Sequence, residues 1–374
     1  MPKPAVENRL AAMRKTRGIG ASDLARRVGV SRQTIYAIEA GTFIPNTEVA
    51  LLLARELEAP IGELFALQAS APAPETLSAE LLSASPAGKG QSVRIAQIGS
   101  RWMSVPVPVT PFFMPEADGI LQEAPVNGRQ AALMVFAKEE ASHHRLLLAG
   151  CDPATSLLAN MAERASGIEI ISAAASSKLA LGWLKEGKVH IAGSHLEDRQ
   201  SGEFNLPQVR RQFAGEEMLA VTFAHWEEGF VVAPGNPKGI AKAEHLARKN
   251  TRFVNRETGS GIRSLADRLL ADAGIPAEKV QGYERIAFGH LPAAFQVLSG
   301  DADVCLATRS AARTFGLDFI ALHSARYDFI LRRRSADLPS VKALLDLLQL
   351  ATLRRKLEYL AGYDTRHTGE RRAI

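Results

Sequence analysis

Residues 21–44 constrain the fold more than any other stretch, because two short amphipathic segments meet there at Gly29-Val30. Leu24, Ala25 and Val28 recur at helical spacing and form one apolar face. Gly29 allows a tight turn, Ser31 is placed to cap the next helix, and Ile35 and Ile38 point inward. Arg32, Gln33, Thr34 and Tyr36 are left on the outer face of that second helix. Such side chains hydrogen-bond base edges and phosphates when a helix N-terminus enters the major groove.

Charge points the same way. Residues 1–32 hold eight Lys or Arg against Glu7 and Asp23, a local balance of +6 that exceeds the +5 of the whole chain. A basic stripe beside an exposed helix is the footprint of phosphate contact. The pattern resembles the Cro-type helix-turn-helix of the xenobiotic-response-element (XRE) family over about 7–65, spanning five short helices. LeuAla at 24–25, GlyValSer at 29–31, Ile35, IleGlu at 38–39, Gly41, Pro45 and GluLeuPhe at 63–65 fall at the family's spacing. Where that family usually places Gln at the start of the second helix, this chain has Ala21, so phosphate anchoring leans on Ser22, Arg26 and Arg32. The expected DNA-contacting set is Ser22, Arg26, Ser31, Arg32, Gln33, Thr34 and Tyr36, with a double-stranded operator as partner.

At 374 residues the chain has room for two to three domains, and 46% apolar residues suffice for packed cores. It contains no apolar run of 18 residues and no hydrophobic leader after its N-terminal charges, so a cytoplasmic protein with no membrane partner is expected. Cys151 and Cys305 form neither a CxxC pair nor a disulfide framework and read as buried small hydrophobes.

Composition divides the chain into a helical head at 1–66, an Ala/Pro/Ser-rich linker at 67–91, a small β-rich subdomain at 92–144 and a large module at 145–374. Within the linker, 75–82 reads as one or two helical turns. In the large module, strand-like and helix-like runs alternate, which implies a parallel sheet with crossover helices. A pair of strand-like runs at 218–223 and 229–234 leads to a second α/β set, and the chain returns through 317–322. The expected architecture is multidomain: an all-α helix-turn-helix five-helix bundle plus an α/β two-lobed clamshell, lobe 1 at about 145–225 and 318–374, lobe 2 at about 235–315.

AlaGlySerHisLeuGluAsp at 192–198, GluPheAsnLeuProGlnValArgArg at 203–211, AlaProGlyAsnProLysGlyIle at 233–240, PheValAsnArgGluThrGlySerGlyIleArg at 253–263 and GlyAspAlaAsp at 300–303 are similar to a known family. It is the periplasmic-binding-protein-like (type II) substrate-binding domain, found fused to DNA-binding helices and in relatives of molybdenum-cofactor proteins. The resemblance implies a small solute held between two lobes. Its motif has Thr after SerGly, where this chain has Ile262.

In such a sheet the ligand sits beyond the carboxyl ends of the strands, where loops enter helix N-termini and an anion gains about 0.3 to 1 kcal/mol at each. The loops supply Asp152, Ser176, Ser177, His195, Arg256, Ser260, Gly261, Arg263 and His290, and Tyr327 lies near the expected hinge. Each has a plainer reading. Ser176 or Ser177 caps a helix, Arg256 and Arg263 pair with Glu257 and Asp267, Asp152 caps the helix from Pro153, Tyr327 packs at the hinge, and the histidines are hydrogen-bonded core residues.

No metal site is expected, since His143-His144 is an adjacent pair and no Cys/His cluster has ligand spacing. Nor does the chain show a nucleophile elbow, phosphate loop or dinucleotide fingerprint, so neither enzymatic activity nor a cofactor is expected. These readings describe a ligand-responsive transcriptional regulator, expected to be a homodimer. Its effector is a small anion, with molybdate or tungstate leading and an organic acid or sulfur oxyanion as the alternative. A constitutive DNA-binding protein with an inert dimerisation clamshell is the reading from another class.

Overall fold

The computed structural model describes residues 6–67, 75–108, 115–123, 130–136 and 145–374. The chain forms two compact units, Met1–Ala73 and Pro74–Ile374. In the first, α1 (Leu10–Thr16), α2 (Ala21–Val28), α3 (Arg32–Glu39), α4 (Thr47–Glu56) and α5 (Ile61–Leu64) enclose Leu10, Leu24, Ile35, Ile38, Leu53 and Leu64. The local signals act as the spacing requires. Gly29 ends α2 in the left-handed region at φ 79°, and the Ser31 hydroxyl accepts the Thr34 N–H at 3.0 Å to start α3. The head is not purely helical: β1 (Val6–Asn8) pairs antiparallel with β2 (Phe65–Leu67) and ties its two ends together. At the centre the buried Arg14 guanidinium grips Glu39 from α3 at 2.6 Å and donates to the Ile19 carbonyl at 2.9 Å.

The second unit begins with a closed barrel of β3 (Glu75–Leu81), β4 (Ser92–Ile98), β5 (Arg101–Pro106), β6 (Gly119–Leu121) and β7 (Gln130–Val135), in the order β3-β5-β4-β6-β7. Here the helical reading of 75–82 is corrected. The segment alternates with period two, burying Leu77 and Ala79 in the barrel, where β3 pairs with β7. The expected linker therefore contributes a barrel strand, and its residues 68–74 lie outside the described residues.

The remainder alternates β8 (Arg145–Gly150), α6 (Thr155–Ser166), β9 (Glu169–Ala174), α7 (Ser177–Lys185), β10 (Ile191–Ser194), α8 (Leu206–Gln212) and β11 (Met218–Val232). Then come β12 (Phe253–Arg256), α9 (Gly261–Asp272), β13 (Ile286–Ala287), α10 (His290–Leu298), β14 (Val304–Thr308), α11 (Arg309–Thr314) and β15 (Asp318–Arg332). The chain ends in α12 (Pro339–Leu347), α13 (Ala351–Tyr359), β16 (Tyr363–Asp364) and β17 (Arg371–Ala373). The main sheet runs β13-β12-β14-β11-β15-β10-β8-β9.

Lobe 1 is built on the parallel strands β9, β8 and β10, and lobe 2 on β13, β12 and β14. The two are joined by β11 and β15, which pair antiparallel from Met218↔Arg332 to Val232↔Asp318. The expected pair of strands at 218–223 and 229–234 is thus one 15-residue strand. Its polar stretch at 225–228 resembles a turn in sequence, yet Trp226 is buried there and Glu228 accepts its indole N–H. Residues 318–323, assigned to lobe 1 from sequence, pair instead with Glu228–Val232 in lobe 2, where Phe319 and Ile320 meet its two apolar clusters.

Candidate functional site

On the head, α3 presents Arg32, Gln33 and Tyr36 to solvent, with Ser31 exposed at its start and Thr34 half-buried. The Arg32 guanidinium donates to the Tyr36 hydroxyl at 3.0 Å, which holds both side chains along the outer face. Ser22 and Arg26 are exposed on α2. Arg26 pairs with Asp23, which also takes Arg27 at 2.6 Å, so part of the cationic charge on α2 is already answered. These surface pairs each contribute little.

In the larger unit the carboxyl ends of the strands converge from both lobes onto one buried cluster. β8 leads to Cys151 and Asp152, β9 to Ser176 and Ser177, and β10 to Ser194 and His195. From lobe 2, β12 delivers Arg256 and the turn to Ser260-Gly261, and β13 delivers His290 at the first turn of α10. The crossing strands add Trp226 and Glu228 from β11 and Tyr327 from β15. The lobes touch directly, as the Lys178 N–H donates to the Gly259 carbonyl at 3.2 Å.

Glycines make this approach possible. A Cβ on Gly193 would lie 1.8 Å from the Tyr327 hydroxyl, and one on Gly150 2.2 Å from it. A Cβ on Gly261 would lie 2.6 Å from the His195 ring.

Several serines are committed to the frame. Ser176 caps α7 by accepting the Leu179 N–H at 3.3 Å, the Ser177 hydroxyl accepts the His195 N–H at 3.2 Å, and Ser260 caps α9 through the Arg263 N–H at 3.1 Å. The expected cleft role of Arg263 is corrected. Its guanidinium bonds Asp267 at 3.1 Å and lies 4.2 Å over the Tyr283 ring, so lobe 2 holds it through contacts that satisfy both its charge and its flat face. Arg256 is the arginine at the centre. Only 1% exposed, it makes a two-pronged pair with Glu257 at 2.9 Å on each prong, and its third nitrogen, Nη1, has no partner. Ile262, standing where the resembled motif has Thr, packs into the lobe-2 core.

The electrostatics are polarised by burial. Burial opposes charge on His195, but Cys151 and Glu228 outweigh it and lift the imidazole to about 10. Its Nδ1 stands 2.9 Å from a Glu228 oxygen and its Nε2 is 3.5 Å from Cys151 Sγ. Burial, reinforced by Arg256 and His195, holds His290 well below its ordinary value and therefore neutral. Asp152 is raised to about 6 by burial, against the hydrogen bonds of Tyr363 and Ala154 to its Oδ1 at 2.7 Å. Fully buried polar atoms without a partner gather here: Arg256 Nη1, both ring nitrogens of His290, the hydroxyls of Tyr327 and Ser194, and Asp152 Oδ2.

Sequence reasoning missed Cys151, Ser194, Trp226, Glu228 and Tyr363. Cys305 is buried as expected, its thiol pushed up to about 12 by burial. Cys151 is half-buried rather than buried: it packs against the lobe-1 core and its Sγ stands 3.5 Å from His195 Nε2. No Cys/His cluster has ligand spacing along the chain, yet the fold brings the ligand atoms of Cys151, His195 and His290 within 4.8 Å of one another. They are scattered over three loops, so no spacing rule could find them. His143 and His144 lie outside the described residues.

Residues 158–349 match the family model of the PBP superfamily domain, and residues 10–64 match a helix-turn-helix model. The uncharacterized protein YvgK of Bacillus subtilis (strain 168) is 31% identical over 246 residues, 66% of this chain and 79% of that protein. An uncharacterized HTH-type transcriptional regulator of Methanocaldococcus jannaschii is 37% identical over 60 residues, 16% of this chain and 91% of the regulator. Two solved structures are similar at low identity. The tungstate ABC transporter from Geobacter sulfurreducens has 16% identity and a TM-score of 0.42 over 57% of this chain and 98% of its own. The sulfate-binding protein SubI from Mycobacterium tuberculosis H37Rv has 15% identity and a TM-score of 0.43 over 59% and 86%. Among the described residues no helix is long and apolar enough to cross a membrane.

Proposed function

This chain belongs to the PBP superfamily and carries an N-terminal helix-turn-helix domain, and on that premise we propose that it is a transcriptional regulator whose operator binding responds to a small anion held between the two lobes. The observation that carries the anion is the buried set of unpartnered donors: Arg256 Nη1, the Tyr327 and Ser194 hydroxyls and the His290 ring. A buried donor left unmade costs about 1–3 kcal/mol, so a solute that accepts from several of them at once stabilises the closed form strongly. The N-termini of α6, α7, α9 and α10 add the positive ends of their dipoles.

The chemistry is binding rather than turnover. A solute that bridges the lobes favours closure by its differential affinity, and closure alters how a pair of heads in a homodimer holds two half-sites in the cytoplasm. On the head, Ser22, Arg26, Ser31, Arg32, Gln33, Thr34 and Tyr36 make the operator contacts. Molybdate or tungstate is the leading effector, supported by a cleft rich in donors and by the kinship with molybdenum-cofactor relatives. The alternative, a solute that carries its own proton or hydroxyl such as an organic acid, is favoured by one observation: Asp152 Oδ2 is a buried acceptor with no donor.

The test is isothermal titration of the full chain with molybdate, tungstate, sulfate, thiosulfate and small carboxylic acids, followed by operator binding with and without the ion that binds. Binding by one ion and a change in operator affinity are expected. A flat response across the panel, or unchanged promoter occupancy at saturation, refutes the sensor and leaves a constitutive DNA binder. On the head, Gln33→Ala costs about 1–3 kcal/mol at the cognate site if it reads a base, and unchanged affinity refutes that assignment.

A further inference from the structure

The same cleft holds a second kind of chemistry. Cys151 and His195 follow β8 and β10 in lobe 1, whereas His290 opens α10 in lobe 2, and their ligand atoms lie within 4.8 Å of one another. We propose that Cys151, His195 and His290 form a three-ligand site for a thiophilic divalent cation of the zinc type, and that binding the metal fastens the two lobes together.

Geometry is the first support. Around tetrahedral zinc, a sulfur at about 2.3 Å and nitrogens at about 2.0 Å place ligand atoms roughly 3.3–3.6 Å apart. Cys151 Sγ and His195 Nε2 already stand at 3.5 Å. The three ligand atoms lie within 4.8 Å of one another, so His290 needs to move inward by about 1 Å, a shift of the order that a small rotation of its side chain supplies.

A second and independent support is the state of His290. It is 1% exposed and neither ring nitrogen has a partner. A buried imidazole with two unmade hydrogen bonds is costly, and a metal bond to one nitrogen removes much of that cost.

The surroundings of His195 are a third. A metal-bound histidine commonly donates its other ring N–H to a carboxylate, which fixes the tautomer and aims the free nitrogen at the ion. Here Nδ1 stands 2.9 Å from Glu228 Oε1, an ion-pair contact that needs only a small turn of the ring to become such a hydrogen bond, leaving Nε2 toward Cys151. The Trp226 indole holds Glu228 in turn at 3.0 Å. The Ser177 hydroxyl anchors the His195 backbone.

The charges balance as well. Binding displaces two protons, that of the Cys151 thiol and that of Nε2 on the His195 imidazolium, and the two positive charges of the ion are met by the thiolate and the Glu228 carboxylate, while Glu257 answers Arg256. A thiolate and two imidazoles select zinc-like ions over magnesium or calcium, which prefer oxygen. Three protein ligands leave a fourth position open, where an oxyanion oxygen would fit. The metal does not need the anion, nor the anion the metal, so each reading is tested without the other.

The experiment is titration of the chelator-stripped full chain with cobalt(II) as the probe, followed by displacement with zinc. One equivalent of cobalt is expected to bind with an intense near-ultraviolet sulfur-to-cobalt charge-transfer band. Cys151→Ser abolishes that band while keeping the far-ultraviolet circular dichroism and urea midpoint of the parent. His290→Ala weakens metal affinity at least tenfold, and Glu228→Gln weakens it by about 10- to 100-fold. Absence of the band from the parent, or its persistence in the folded Cys151→Ser protein, overturns the proposal. Tungstate titration of the stripped protein separates the two readings. Cobalt failure with tungstate binding intact removes the metal site alone, and the reverse removes the tungstate reading alone.

Discussion

Gly261→Ala separates closure from folding. Gly261 is the first residue of α9 and lies outside the left-handed region, so alanine there incurs no backbone strain. Its added methyl would stand 2.6 Å from His195 Cε1 and Nδ1 and 2.9 Å from the His195 carbonyl oxygen. Ordinary carbon contacts lie near 3.5–4.0 Å, so lobe 2 must retreat by about 1 Å at this point. The ring has little freedom to yield, since it is 2% exposed and packed 5.1 Å from the Trp226 ring, and the carbonyl is backbone. Overpacking of this kind costs about 1–3 kcal/mol, and the cost falls on the closed form alone because the contact is made between lobes. The dissociation constant of the bound ion rises about 5- to 150-fold. Ligand-free stability stays level or rises slightly, because alanine favours a helix over glycine. Isothermal titration gives the first quantity and urea unfolding the second. A dissociation constant within twofold of the parent, or a lowered urea midpoint without ligand, refutes the reasoning.

Three further outcomes follow from the same contacts. Tyr327→Phe removes a buried hydroxyl that the backbone N–H groups of Cys151 and Asp152 approach without full hydrogen-bond geometry, so urea stability changes little while anion affinity falls about threefold to tenfold; an unchanged affinity means the hydroxyl does not face the solute. Glu39→Ala strands the buried Arg14 guanidinium and costs the head about 3–5 kcal/mol, abolishing operator binding, whereas the paired change Arg14→Met with Glu39→Met restores it; full operator binding by the single variant contradicts this. Burial holds His190 down to about 4, with its Nδ1 accepting the Leu147 N–H at 3.0 Å. The unfolded chain takes up that proton near 6.5, so the native state binds fewer protons between about pH 6.5 and 4. Its stability therefore falls across that window on acidification, by at most about 3 kcal/mol, and is level for this group above it. His190→Asn, which keeps an acceptor in place, should flatten that limb of the stability profile, and an identical acid limb would exclude His190 as its source.

Legibility in the sequence followed the range of the forces involved. The head was readable because its determinants are neighbours along the chain: the Ser31 cap bonds a residue three positions on, Gly29 turns the backbone itself, and Ile35 and Ile38 mark one helical face. In the clamshell, each loop that carries Asp152, Ser176, His195, Ser260 or His290 could be placed because strand ends and helix starts have local signatures. Which of those side chains share a site had no such signature. Arg256 and Arg263 sit seven residues apart in one motif, yet the first points into the cleft with an unpaired nitrogen and the second lies on Tyr283.

Periodicity, capping and turn chemistry act within a few residues, and so the amino-acid order alone sufficed to read a helix-turn-helix head, a two-lobed α/β module and the loops at its strand ends. Tertiary structure alone decided that residues 75–81 close a barrel, that 218–232 is one strand crossing both lobes, and that Cys151, His195 and His290 meet. Those outcomes depend on pairing and packing between segments from about 40 to 140 residues apart, and local propensity carries no record of a partner that distant.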